Sequence, residues 1–213
     1  MTSTPRSPFR RAALAAAVAT AALVLSACGG DAESASSGSA SSGSSSSDDR
    51  HNAQDVTFAQ GMIPHHRQAL EMAELAADRA SSAEVKDLAA RIEKAQDPEI
   101  EKMTGWLKAW GEDVPEEGES MGESMPGMDH SGGSGMAGMM GDAEMQQLEK
   151  ASGAAFDTAF LTMMVEHHEG AVEMARTEQS KGGYQPAKKT AGDIVTGQTA
   201  EITEMNELLG KSS

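Results

Sequence analysis

Four of the six histidines in this 213-residue chain stand as two adjacent pairs, His65-His66 and His167-His168. Each pair begins three residues after a methionine, Met62 or Met164. Imidazole binds many transition metals, whereas a thioether is soft and selects Cu(I) or Ag(I) over hard ferric or calcium ions. The pattern therefore points to soft-metal binding, with Cu(I) favoured and Cu(II) tolerated by the imidazoles. Di-iron carboxylate chemistry in a helical bundle would instead need Glu-x-x-His on two helices and a further Glu from each of the other two. Met62 and Met164 occupy the places of those acids before His65 and His167, and Ile63 and Val165 do so before His66 and His168. Paired histidines on an apolar seam also have a purely structural use, in which they hydrogen-bond one another and the backbone.

The elements that carry the pairs are written twice. Sliding the chain on itself by 102 residues places Asp55, Phe58, Met62, His65, His66, Ala69, Glu71, Met72 and Ala73 on Asp157, Phe160, Met164, His167, His168, Ala171, Glu173, Met174 and Ala175. The register resumes with Ile92, Gln96, Glu99, Ile100, Met103 and Leu107 over Ile194, Gln198, Glu201, Ile202, Met205 and Leu209. A gapless repeat of rare residues indicates duplication, with two halves related by a pseudo-twofold axis.

Phe58, Met62, His65, Ala69 and Met72 recur at helical spacing. On that helix His65 lies inside the apolar face, His66 at its edge and Glu71 on the far side, and the repeat predicts the same for His167, His168 and Glu173. A second helix is expected from a capping box at Ser81-x-x-Glu84 to Gly111, a third from about Ala143 to Gln179, and a fourth from about Pro186 to Leu209. Pro64 is expected to kink or restart the first helix. Four amphipathic helices in two hairpins, over residues 51–111 and 143–210, predict an all-α four-helix bundle. The pattern leaves open whether the hairpins pair within one chain or between two.

Between the hairpins, residues 112–141 form a Gly/Ser loop carrying Met121, Met125, Met128, His130, Met136, Met139 and Met140. Methionine in such a loop is expected to have nothing to pack on, which leaves spare soft ligands on a flexible chain. The alternative is a low-complexity linker whose methionines scavenge oxidants or have no role. His51, just before the first helix, is either a stray ligand or has no role in the site.

The first 27 residues carry Arg6, Arg10 and Arg11, then an apolar run from Ala12 to Leu25, and read as a signal peptide. The run ends in Leu25-Ser26-Ala27-Cys28, which looks like a lipobox, so Cys28 is expected to carry a lipid anchor. Ordinary secretion with a free Cys28 is the alternative. Residues 28–50 are a Ser/Gly-rich tract expected to act as a disordered tether. The expected location is outside the cytoplasm, held to the cell membrane.

The charge of −16 argues against a nucleic-acid partner, because no basic surface is available to neutralise phosphates. A single cysteine excludes internal disulfides and thiolate zinc modules. Aromatic residues at 3% argue against a β-sandwich.

The doubled motif, Phe58-x-x-x-Met62-Ile63-Pro64-His65-His66 with Ala69-x-x-Met72-Ala73 and its echo from Phe160 to Ala175, resembles the bacterial domain-of-unknown-function family 305 over roughly residues 51–210. That resemblance implies a ferritin-like four-helix bundle, commonly exported, with some members linked to copper. It carries to Met62, His65, His66, Met72, Met164, His167, His168 and Met174 as candidate metal ligands. Val165-Glu166 departs from Ile63-Pro64, and the Met-rich loop is not a general family feature. The resulting expectation is a lipid-anchored, non-enzymatic protein that binds or buffers copper. A helical interaction protein with structural histidines is the rival, and a redox enzyme a weaker third reading, since no nucleophile or nucleotide motif is present.

Overall fold

The computed structural model describes residues 50–116 and 136–210, an all-helical bundle. The signal peptide, Cys28, the tether up to residue 49, and Met121, Met125, Met128 and His130 of the loop lie outside the described residues. No helix among the described residues is long and apolar enough to cross a membrane.

Five helices follow in order: α1 (Ala53–Arg79), α2 (Ala83–Trp110), α3 (Asp142–Lys150), α4 (Ala154–Lys181) and α5 (Gln185–Leu208). The third predicted helix is thus two. A break at Ala151–Gly153 separates the short α3 from α4, and Gly153 takes φ 62°, where a side chain would be strained. Pro64 does not restart α1, which runs unbroken through it. At the start of α2 the cap is Ser82 rather than Ser81, its hydroxyl accepting from Val85 N–H at 3.3 Å. Gly111, in the left-handed region at φ 77°, ends α2 as its sequence position predicts.

Helices α1 and α4 form the central pair, with α2 packed on α1 and α5 on α4, all within one chain. The apolar core has two parts. One joins the first half of α1 (Phe58, Met62, Ile63) to the second halves of α2 and α4 and the first half of α5. The other joins the second half of α1 to the starts of α2 and α4, with Phe156, Phe160, Leu148 and Met205. Paired helices therefore run antiparallel, and each half of the repeat contributes to both parts.

The pseudo-twofold is visible in how each half holds the other. Asp55, wholly buried on α1, accepts from Gly183 N–H at 3.0 Å and Tyr184 N–H at 2.9 Å in the α4–α5 turn. Its register mate Asp157, on α4, accepts from Ser81 N–H and Ser82 N–H at 3.0 Å in the α1–α2 turn. Residues 81 and 82 are themselves the mates of 183 and 184. Each aspartate thus satisfies the orphan amides at the start of the other half's second helix.

Candidate functional site

Between the two apolar parts lies a polar layer. His65 and His66 on α1 and His167 and His168 on α4 have no solvent exposure. The edge positions expected for His66 and His168 are therefore wrong, because α2 and α5 cover that side of the central pair. Glu71 and Glu173 are exposed, as expected. His65 and His167 meet across the bundle with ring centroids 3.8 Å apart at 41°, and His167 and His168 stand 6.3 Å apart.

Two carboxylates that the motif did not include complete the layer. Glu99 on α2 accepts from His66 Nε2 at 2.8 Å, and Glu201 on α5 accepts from His168 Nε2 at 2.8 Å. One turn earlier on the same helices, Gln96 and Gln198 are buried. The repeat already held these four residues in register. Polar residues at helical spacing on an apolar seam were the signal that would have placed them in the layer.

The hydrogen bonds fix which ring nitrogens remain available. Carboxylate and carbonyl oxygens only accept, so His66 and His168 donate through Nε2, and His65 donates through Nε2 to the Ala137 carbonyl at 3.1 Å. Their Nδ1 atoms have no hydrogen-bond partner, and His167 has none at either nitrogen. Burial is the main cause that pushes His65 down to about pKa 3 and His167 well below the ordinary 6.5, with neighbouring histidines adding to it. Both rings stay neutral, with lone pairs free, far below the pH near 6 at which exposed histidines would protonate.

Ala137 belongs to a strap, Met136–Met140, that lies across α1 and α4. Gln68 grips it from α1, donating to the Met140 carbonyl at 2.8 Å and accepting from Met140 N–H at 2.7 Å. Gly170 on α4 leaves the matching gap, since a Cβ there would stand 1.9 Å from the Ala137 oxygen. Residues 68 and 170 are register mates, so the halves differ where the strap crosses. Gly170→Ala gains roughly 1 kcal/mol of helix propensity but overpacks the strap by about 1–3 kcal/mol. The expected result is a lower denaturant midpoint, which equilibrium unfolding measures.

The methionines divide by location. Met62, Met72 and Met164 are wholly buried in the apolar core. Met140 is also buried there, contrary to the expectation that loop methionines have nothing to pack on, because the strap docks onto the bundle. Met136, Met139 and Met174 are half-buried. His51 stacks on Trp110 with centroids 4.4 Å apart. Among the described residues no three His, Cys, Asp or Glu side chains stand close enough together to hold a metal ion by themselves. The histidine layer is therefore a set of paired donors, suited to ions of low coordination number or to shells that include sulfur.

A duplicated helical bundle with a buried histidine layer defines the class of protein, and its family follows from comparison. Residues 55–209 match the Domain of unknown function (DUF305), and the chain belongs to that family. It is 32% identical to a DUF305 protein of Streptomyces coelicolor described as secreted, with a TM-score of 0.63 over 74% of this chain and 91% of that one. It is 29% identical to a DUF305 fragment from Deinococcus radiodurans, with a TM-score of 0.62 over 76% of this chain and 98% of that one. It is also 34% identical to CopM in its Cu(II)-bound form, with a TM-score of 0.59 over 72% of this chain and 94% of that one. CopM has been solved in Cu(I)-bound and Ag-bound forms as well. No curated protein matches the chain at a significant level.

Proposed function

We propose that this chain binds or buffers copper outside the cytoplasm, Cu(I) foremost and Ag(I) as its analogue, as a non-enzymatic protein anchored by lipid on Cys28. The observation that carries the reading is the histidine layer, four fully buried imidazoles with five ring nitrogens that have no hydrogen-bond partner. An unpaired buried polar atom costs about 1–3 kcal/mol, so a fold that keeps five of them without a use is disfavoured. The donor chemistry agrees, since neutral imidazole and thioether are ligands of Cu(I) and Ag(I). Support also comes from CopM, which is about a third identical and takes Cu(I), Cu(II) and Ag.

Pairs drawn from His65, His66, His167 and His168 would hold the ion, with sulfur completing its shell. Met62, Met72, Met164 and Met174 are candidate sulfur ligands, and the loop residues from Met121 to Met139, His130 included, are a further reservoir. Glu99 and Glu201 would orient His66 and His168 so that Nδ1 is the ligating atom. Losing such outer partners typically lowers metal affinity about 10–100-fold. Glu99→Ala with Glu201→Ala should produce that loss with helicity retained, because both carboxylates are partly solvated and water can replace them, at 18% and 20% exposure.

The reading is tested by anaerobic Cu(I) titration against a competing chelator, using the chain from residue 29 onward, which keeps every described residue. A second protein has residues 118–135 replaced by Gly/Ser, which leaves the Met136–Met140 strap in place. Tight uptake that survives loop replacement supports the bundle site. Uptake lost with the loop reduces the bundle to a scaffold, and no uptake by the wild type removes the copper reading. The His66–Glu99 and His168–Glu201 bonds favour a second reading, in which the histidines are structural and the bundle binds a protein partner.

A further inference from the structure

We infer that Met136 and Met174 form one two-thioether site for a soft monovalent cation, Cu(I) or Ag(I), on the α1–α4 face one helical turn before His65. The inference rests on the copper reading above. The point where a Cβ on Gly61 would stand lies 3.5 Å from Met136 Sδ and 3.8 Å from Met174 Sδ. Both sulfurs therefore border the same small volume beside α1, each at ordinary contact distance from that point. Met136 reaches it from the strap and Met174 from α4, while Gly61 on α1 keeps the space open.

The repeat gives independent support. Gly61 is the register mate of Met163, and Met174 is the mate of Met72. In the second half the thioether at this position is carried by α4 itself. In the first half α1 carries glycine, and a thioether is brought in from outside the repeat. The two ends differ in access, since Met72 is wholly buried in the core whereas Met136 and Met174 are both half-exposed.

The site is placed to serve the histidines. Gly61 precedes His65 by four residues and so lies on the same face of α1. Met136 adjoins Ala137, whose carbonyl holds His65 Nε2. Two thioethers in linear or bent arrangement are an adequate shell for a d10 monovalent ion, and the second sulfur acts at high effective concentration once the first has bound. An ion captured there stands beside the strap contact that occupies His65.

The test is a stepwise Ag(I) titration of the chain from residue 29 onward with methyl-13C methionine, followed by NMR of the methyl groups and the histidine rings. Met136→Leu and Met174→Leu assign the two methyl signals and fill their space without sulfur. The expected result is that both methyls shift in the same step, and that Met136→Leu abolishes the Met174 shift in that step and the reverse. His65→Leu with His167→Leu should leave the paired shift in place. A Met174 methyl that still shifts in Met136→Leu, or methyls that move in different steps, would overturn the shared site. Histidine signals that shift while these methyls do not would overturn this site and leave the copper reading standing. No shift of any methionine or histidine signal would remove both.

Discussion

Replacing His65 and His167 together with leucine is expected to raise thermal stability while lowering Cu(I) affinity at least about a hundredfold, since even outer partners of a metal site are worth 10–100-fold. The two rings are fully buried and in contact, and three of their four nitrogens have no hydrogen-bond partner. Each unpaired atom costs about 1–3 kcal/mol, and leucine of similar volume removes that cost at a position flanked by apolar core. A structural role for the histidines predicts the reverse, a lower melting temperature and no change in metal uptake. Calorimetry and a chelator competition on the same variant separate the two. The acid limb changes as well. Unfolded imidazoles take up protons near pH 6.5, whereas His65 resists until about 3 and His167 also stays neutral, so the wild type loses stability as pH falls below 6.5. The double leucine variant lacks that part of the acid sensitivity.

The second large effect comes from the far end of α4 and has the opposite sign with pH. Glu178 is wholly buried, and neither of its oxygens has a donor. It lies beside Asp55, and two ionised carboxylates cannot hydrogen-bond, so the pair is stable with one proton on Glu178 donated to Asp55. Burial first, and then Asp55 itself, push Glu178 up to about pKa 8, while Asp55 is held below its ordinary value by the bonds it accepts despite its burial. Between the ordinary 4.5 and about 8 the folded chain keeps a proton that the unfolded chain has released. Stability contributed by this group therefore falls as pH rises through that window, by an amount on the order of a few kcal/mol. Glu178→Gln keeps the donor to Asp55 and removes the charge. Its melting temperature should stay level from about pH 6 to about pH 9, while that of the wild type declines. A parallel decline in both would contradict this origin. Together with the histidines, the trend places the stability maximum near the ordinary histidine value of 6.5.

The repeat made most of the fold legible, because duplication fixes two hairpins at once and rare residues in step leave one register. The motif located the histidine pairs for the same reason. Four features are not legible in this way. The helical wheel of α1 alone puts His66 at an edge, and only the packing of α2 makes that edge interior. Glu99 and Glu201 lie 33 residues after their partners, a separation that the three- and four-residue spacings of a motif cannot express. Composition describes a segment in isolation and so predicts a free loop where the strap docks. Its docking depends on two contacts made elsewhere, the Gln68 amide and the gap at Gly170. The α3–α4 break is hidden because Gly153 sits inside an otherwise continuous apolar period.

The central claim is that the buried imidazoles, and not the loop thioethers alone, hold the ion. The most direct test is X-ray absorption at the copper edge of the Cu(I)-loaded chain from residue 29 onward, with Met136→Leu and Met174→Leu in place, at one ion per chain. The account predicts imidazole scattering at that loading, lost in the His65→Leu, His167→Leu variant. A shell of sulfur alone, unchanged in that variant, would contradict it.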